Sequence, residues 1–218
     1  MEQSFGNQRK RGGMVTTKPV YIAVEGVDGS GKSTLVPLLA KEIEQKTGIK
    51  PLCVSEPFDK KLDPMKAKAK DYIRDRKKYY KHLPHAGQWI ISDRSWASTL
   101  AYQNVGFWDW LKIDRFIHAD WGLGGYYKVL LYLDVPIEVA QLRLNSRGEK
   151  QDAADKDLHL QKEAQRCYEL IMEKGTWFDR KVRVKDGKID LDTLLGISDN
   201  HSENTKQSLS NEQHKEEK

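Results

Sequence analysis

Eight consecutive residues, Gly26-Val27-Asp28-Gly29-Ser30-Gly31-Lys32-Ser33, fit the spacing G-x-x-x-x-G-K-[ST], which builds a cradle for phosphate. The glycines let successive backbone N–H groups turn into one concavity, and a helix starting at the loop's end adds the positive end of its dipole. Lys32 is then set to reach the β- and γ-phosphates of a nucleotide and Ser33 to ligate Mg²⁺. Gly26, Val27, Gly29, Ser30, Gly31 and Thr34 supply the remaining loop and first-turn contacts. The competing reading is a glycine-rich turn with a solvated lysine. The flanks argue against it, because the apolar run Val20 to Glu25 precedes the loop and Leu35, Leu38, Leu39 and Ile43 recur at helical spacing behind it.

Two further groups of side chains suit a phosphorylated partner. Asp93 and Arg94 close the apolar run Trp89 to Ser92. A carboxylate at a strand's C-terminal end can hold Mg²⁺ through water, and a guanidinium beside it offers a planar fork to an acceptor phosphate. A surface Asp–Arg pair is the alternative. Tyr72 and Arg76 stand four apart on a helical stretch and share a face. A ring there can stack a base while the guanidinium bonds its edge or a nearby phosphate. Arg74, Lys77 and Lys78 surround this pair, so a solvated helix face competes. Arg143, Arg147 and Lys150 form a basic stretch that leaves a helix and enters a polar loop.

Strands and helices must carry these groups to one place. Short apolar runs at Val20 to Glu25, Leu52 to Glu56, Trp89 to Ser92 and Val129 to Asp134, with a weaker one around Val182 and Val184, alternate with helical patterns. The helical stretches cover roughly 64–82, 107–119, 136–147 and 155–174, besides the one that ends near Gly48. That alternation predicts βαβ units. Continuous apolar character in Tyr-Ile-Ala-Val and Val-Leu-Leu-Tyr-Leu predicts strands covered on both faces. Pro37 falls early in the first helix and predicts a slight distortion rather than a break. Pro136 reads as a first helical residue and Asp134 as a helix-start residue without a catalytic role. Residues 1–18 and 198–218 are polar and read as disordered tails around one domain, 19–197.

Composition narrows the classes. The chain has 218 residues, 38% hydrophobic and 32% charged, and no apolar stretch near the roughly 18 residues that span a bilayer. Cys53 and Cys167 stand alone, against a disulfide framework or structural zinc and in favour of a cytoplasmic setting. The net charge of +5 suits either nucleic acid or a site for several phosphates. A nucleic-acid binder, suggested also by the six tryptophans, has no recognisable module here. No Asn-Lys-x-Asp string occurs, and no Asp-x-x-Gly follows the third run, which excludes a guanine-nucleotide switch.

The segment Asp93-Arg94-Ser95-Trp96-Ala97-Ser98-Thr99-Leu100-Ala101-Tyr102-Gln103 resembles the thymidylate kinase family, whose members carry Asp-Arg-aromatic-x-x-Ser-x-x-Ala-Tyr-Gln at this place. Val-Glu-Gly-Val-Asp-Gly-Ser-Gly-Lys-Ser-Thr at the loop, Glu56-Pro57, Arg74-Asp75-Arg76, Leu-Tyr-Leu-Asp-Val-Pro and Asp157-Leu-His-Leu with Tyr168 extend the likeness. The resemblance implies an α/β P-loop NTPase with a doubly wound, parallel five-stranded sheet flanked by helices and a short mobile lid at about 143–156. It implies Mg²⁺-dependent transfer of the ATP γ-phosphoryl group to dTMP, and a homodimer with no membrane or nucleic-acid partner.

Carried over to matching positions, Lys32, Asp28, Arg94 and Arg147 are the catalytic residues, with Arg147 on the lid and Asp28 holding the acceptor 3′-OH and helping to organise Mg²⁺. Arg143 stacks the adenine, and Ser33 and Asp93 face the metal. Glu56, Tyr72, Arg76, Ser98, Tyr102 and Gln103 join Asp28 and Arg94 around the acceptor; Ser98 and Gln103 meet the base edge, and Tyr102 crowds the sugar 2′ position. Two positions depart from the pattern: Ser55 stands where relatives have arginine before Glu-Pro, with Lys60 or Lys61 as the substitute, and Ser95 replaces the aromatic after Asp-Arg. Arg94-Ser95 together with Glu56-Pro57 also resembles deoxynucleoside kinases, which take unphosphorylated acceptors; that activity, and nucleotide binding without transfer, stay open as alternatives.

Overall fold

Val20–Glu25 (β1) is buried along its whole length, as a strand sandwiched between helical layers must be. The computed structural model describes residues 18–63, 66–80, 88–103, 123–146, 157–185, 189 and 191–195. Within them lie four more strands: Leu52–Ser55 (β2), Ile90–Asp93 (β3), Tyr127–Leu133 (β4) and Arg180–Val184 (β5). All pair in parallel, in the order β2-β3-β1-β4-β5. The described helices are Lys32–Thr47 (α1), Ala69–Tyr80 (α2), Trp96–Tyr102 (α3), Ile137–Ser146 (α4), Leu158–Lys174 (α5) and Leu191–Leu195 (α6).

Alternate residues of the strands feed two cores, one on each face of the sheet. Tyr21, Ala23, Ile90, Leu130 and Tyr132 pack under α2, α3 and α5, where Trp96 meets Trp177 edge-on at 4.5 Å and stacks on Phe178 at 5.1 Å. Val20, Ile22, Val24, Ile91, Leu131 and Leu133 pack under α1 and α6, against Val36, Leu39, Ile43 and Leu194. Pro37 lies exposed within an unbroken α1, which ends at Gly48 in the left-handed conformation.

Residues 143–146, expected both in the helix at 136–147 and at the start of the lid, lie in α4, where Leu144 is still buried on its inner face. Other expectations move. Asp134 does not start a helix: its N–H bonds Val184 O, its carboxylate takes Arg183 Nη1 at 2.9 Å, and Pro136 O receives the first helical bond from Ala140. The helical stretch 107–119 with its aromatic surroundings, most of the expected lid and nearly all of both tails lie outside the described residues.

Candidate active site

The phosphate loop joins β1 to α1, and its shape is enforced by what surrounds it. Gly29 has φ +81°, and a Cβ there would fall 2.2 Å from the Ala140 carbonyl oxygen of α4; at Gly26, φ +150°, it would fall 2.9 Å from Leu133 O. Val27 is buried against Val135 and Ala140, which anchors the loop to the same helix. Lys32 does not extend into solvent. Its ammonium bends back to donate to the carbonyls of Gly26 at 2.8 Å and Val27 at 2.9 Å, and only 7% of the residue is exposed. Burial, helped by the Arg94 charge and opposed by Asp28, Asp93 and Glu25, pulls its pKa down to about 8. Ser33 and Thr34 stand exposed on the first turn of α1.

Next to the loop, Arg94 follows β3 with φ 72°, a left-handed backbone that a residue with a Cβ adopts only when its surroundings impose it. Two hydrogen bonds do so: Arg94 N–H donates to Val24 O at 3.0 Å, and Ser92 Oγ donates to Arg94 O at 2.6 Å. The turn aims the guanidinium at Asp28, with which it pairs closely, and at Ser98 Oγ, 3.2 Å away, while the Tyr102 ring lies 5.1 Å below it. Burial raises the Asp28 carboxyl, but the charges of Arg94 and Lys32 outweigh it and hold the group below the usual carboxylate range. Asp93 ends β3 beside Val24 and Ser55.

Asp28, Arg94, Ser98 and Tyr102 open into one cavity of about 340 Å³, lined also by Glu56, Pro57, Lys60, Leu62, Tyr72, Arg76, Ser95, Thr99, Gln103 and Leu160. The helical spacing of Tyr72 and Arg76 thus brings both to the same wall. Arg76, almost wholly buried, pairs with Glu56 through Nε at 2.9 Å and through Nη2, and its Nη1 has no hydrogen-bond partner. Tyr80 donates to the other Glu56 oxygen at 2.6 Å. The Tyr102 hydroxyl is likewise buried, beside Arg94 and Asp28, and burial pushes its pKa up.

One buried polar cluster beside the site has no signal in the spacing. Glu25, the last residue of β1, is fully buried and accepts from Ser95 Oγ at 2.7 Å, Ser98 N at 3.2 Å, Ser98 Oγ at 2.6 Å and Tyr168 OH at 2.9 Å. Burial raises its carboxyl pKa against the opposing influence of these donors and of Arg94. Ser95 also caps α3 by accepting Ala97 N–H at 3.1 Å, which accounts for a small hydroxyl residue at this position. The Ser98 hydroxyl is therefore directed into this network, although the residue lines the cavity.

On the other side of the loop a second cavity, about 350 Å³, is lined by Ser30, Gly31, Thr34, Leu35, Leu38, Leu133, Arg143 and Ser146. Arg143 Nη1 donates to Ser30 O at 3.1 Å. Arg147 lies outside the described residues. For a metal, with the Asp28 carboxylate engaged by Arg94 and Lys32, donors near the loop include the Ser33 hydroxyl and the Asp93 carboxylate, and no three His, Cys, Asp or Glu side chains converge among the described residues. That set fits Mg²⁺, which takes one or two protein oxygens and completes its shell with phosphate and water.

A parallel β2-β3-β1-β4-β5 sheet with a glycine loop between its central strand and the next helix defines an α/β P-loop NTPase fold. The thymidylate kinase family model matches residues 66–181. The thymidylate kinase of Carboxydothermus hydrogenoformans is 32% identical over 188 residues, covering 77% of this chain and 89% of that protein. A probable thymidylate kinase of Metallosphaera sedula is 29% identical, with 81% and 89% covered. The crystal structure of thymidylate kinase from Ehrlichia chaffeensis shares the fold, with a TM-score of 0.55 at 21% identity over 80% of this chain and 90% of that one. The chain belongs to the thymidylate kinase family.

Proposed function

We propose that the protein is an ATP-dependent nucleoside monophosphate kinase that transfers the ATP γ-phosphoryl group to dTMP, giving dTDP and ADP. The observation that carries this reading is the first cavity, which runs without interruption from the phosphate-loop residue Asp28 and Arg94 to the aromatic and guanidinium wall of Tyr72 and Arg76. An acceptor with its base against Tyr72 offers a carbonyl to the free Nη1 of Arg76, with Gln103 at the base edge. Its sugar rests on Tyr102, within reach of Asp28, and its phosphate meets Arg94. Glu56 and Ser98 serve from behind, by holding Arg76 and Arg94 in place.

ATP takes the opposite side of the loop, its adenine against Arg143 and its β- and γ-phosphates over the N–H groups of α1. Lys32 carries its proton at neutral pH and is close enough to exchange a loop carbonyl for a phosphate oxygen. An acceptor phosphate oxygen then attacks Pγ in line, the bond from Pγ to the β,γ-bridging oxygen breaks, and ADP leaves with that electron pair. The attacking oxygen is already anionic, so the residues position and neutralise rather than abstract a proton. We assign Arg147, just beyond α4, to the charge on the moving phosphoryl group. Mg²⁺, when bound at Ser33 and Asp93 with the triphosphate, neutralises donor charge.

A coupled ADP assay with ATP and Mg²⁺ across dTMP, dUMP, dCMP, dGMP and thymidine tests the assignment, with the highest kcat/KM expected for dTMP. Preference for thymidine would replace it with a nucleoside kinase. No ADP release with any of these acceptors would replace it with nucleotide binding alone.

A further inference from the structure

We propose that Lys60 is the second cation for the acceptor phosphate, beside Arg94 in the same cavity, and that it makes the site demand a phosphorylated acceptor; this rests on the dTMP reading above. Five charged side chains line the acceptor cavity: Asp28, Glu56, Lys60, Arg76 and Arg94. Four neutralise one another, Arg76 with Glu56 and Arg94 with Asp28. Lys60 makes no ion pair among the described residues. Its ammonium donates only to the neutral Ser55 carbonyl at 3.1 Å and Ser55 Oγ at 3.3 Å. The wall therefore presents one uncompensated positive charge.

Its place in the fold matches a phosphate. Ser55 ends β2 directly across from Asp93 in β3, and neighbouring strands lie about 4.8 Å apart, so the Lys60 ammonium stands at the same sheet end as Arg94. The turn bearing it is fixed from α2, because the Asp75 carboxylate accepts the N–H groups of Phe58 at 2.7 Å and Asp59 at 3.0 Å. Asp59 in turn accepts Lys61 N–H at 3.0 Å. That turn separates the two adjacent lysines: Lys60 lines the acceptor cavity, whereas Lys61 lines a different groove with Phe58, Asp71 and Arg74. A phosphate monoester has oxygens to spare for both a flat guanidinium fork and a compact ammonium. A nucleoside has no anionic oxygen to offer the latter.

The test is calorimetric titration of the full chain with dTMP and, separately, thymidine, both without ATP, for the wild type and for Lys60→Ala, Lys60→Arg and Lys61→Ala. Loss of one charge-assisted hydrogen bond to phosphate predicts dTMP affinity about tenfold weaker in Lys60→Ala. Thymidine affinity should stay as in the wild type, Lys60→Arg should recover most of the loss, and Lys61→Ala should change neither ligand. A Lys60→Ala protein that weakens dTMP and thymidine equally, or neither, overturns the role of Lys60 and leaves the dTMP reading standing. A wild type that binds thymidine as tightly as dTMP overturns both.

Discussion

Arg94 concentrates several demands in one residue. Its backbone is held left-handed, its guanidinium is shared among Asp28, Ser98 and the Tyr102 ring, and it faces the acceptor cavity rather than the donor cavity. Arg94→Ala should therefore raise the dTMP KM and lower kcat, together reducing kcat/KM by about 100-fold or more, while the MgATP Kd moves less than about threefold. Steady-state kinetics with a separate ATP titration would check this; a loss confined to ATP would assign Arg94 to the donor. Lys32 predicts a pH dependence of two opposite signs. Its folded pKa of about 8 lies below the roughly 10.4 of an unfolded lysine, so between these values the unfolded chain binds more protons. The ligand-free fold accordingly gains stability from this group as pH rises through that window. In the proposed site MgATP binding needs the ammonium, so its Kd should be flat below pH 8 and climb above it by up to about tenfold per pH unit. Urea melts and ATP titrations across that range measure the two, and Lys32→Met should flatten the Lys32 part of both.

Between elements, the tie that sets the acceptor wall is the Glu56–Arg76 pair, which fastens the end of β2 to α2 with Tyr80 on the second carboxylate oxygen. Glu56→Ala would strand a buried guanidinium and remove the Tyr80 acceptor, for an expected loss of about 3–5 kcal/mol. A urea denaturation midpoint unchanged from the wild type would show that the pair contributes little. Much of the scaffold is legible in the sequence because burial on both faces leaves a continuous apolar run, as in β1 and β4. The strand β5 is faint because Arg180, Lys181 and Arg183 interrupt its apolar residues. The loop is legible because its glycines and lysine have fixed spacing. Pairings across the fold are not: no periodicity tells that Asp28 meets Arg94 across 66 residues, or that Glu25 meets Tyr168 across 143. Glu25 shows why, since a carboxylate at the end of an apolar strand reads as solvated until the donors from α3 and α5 surround it.

At the scale of the molecule, the phosphate loop lies between the two proposed substrate cavities. The acceptor cavity is lined from α2, α3 and α5, the donor cavity from α1, α4 and the end of β4, and the two share no lining residue although both border the phosphate loop. Asp28 lines the acceptor cavity while Ser30 and Gly31, two and three residues on, line the donor cavity. Both sites are thus formed at once at the C-terminal ends of the strands, where ligands of open α/β sheets gather. Direct transfer requires the two phosphates to meet over the loop, which favours a ternary complex. The alternative is a relay through a phosphorylated side chain, and the carboxylate in the loop, Asp28, is ill-suited to it because Arg94 and Lys32 both pair with its Oδ1 and lower its basicity. Initial rates measured over a grid of ATP and dTMP concentrations should accordingly give intersecting double-reciprocal lines. Incubation with γ-labelled ATP alone should leave no label on the protein. Parallel lines together with a labelled enzyme would mean that the phosphoryl group stops on a side chain, and Asp28 would then be the first residue to substitute.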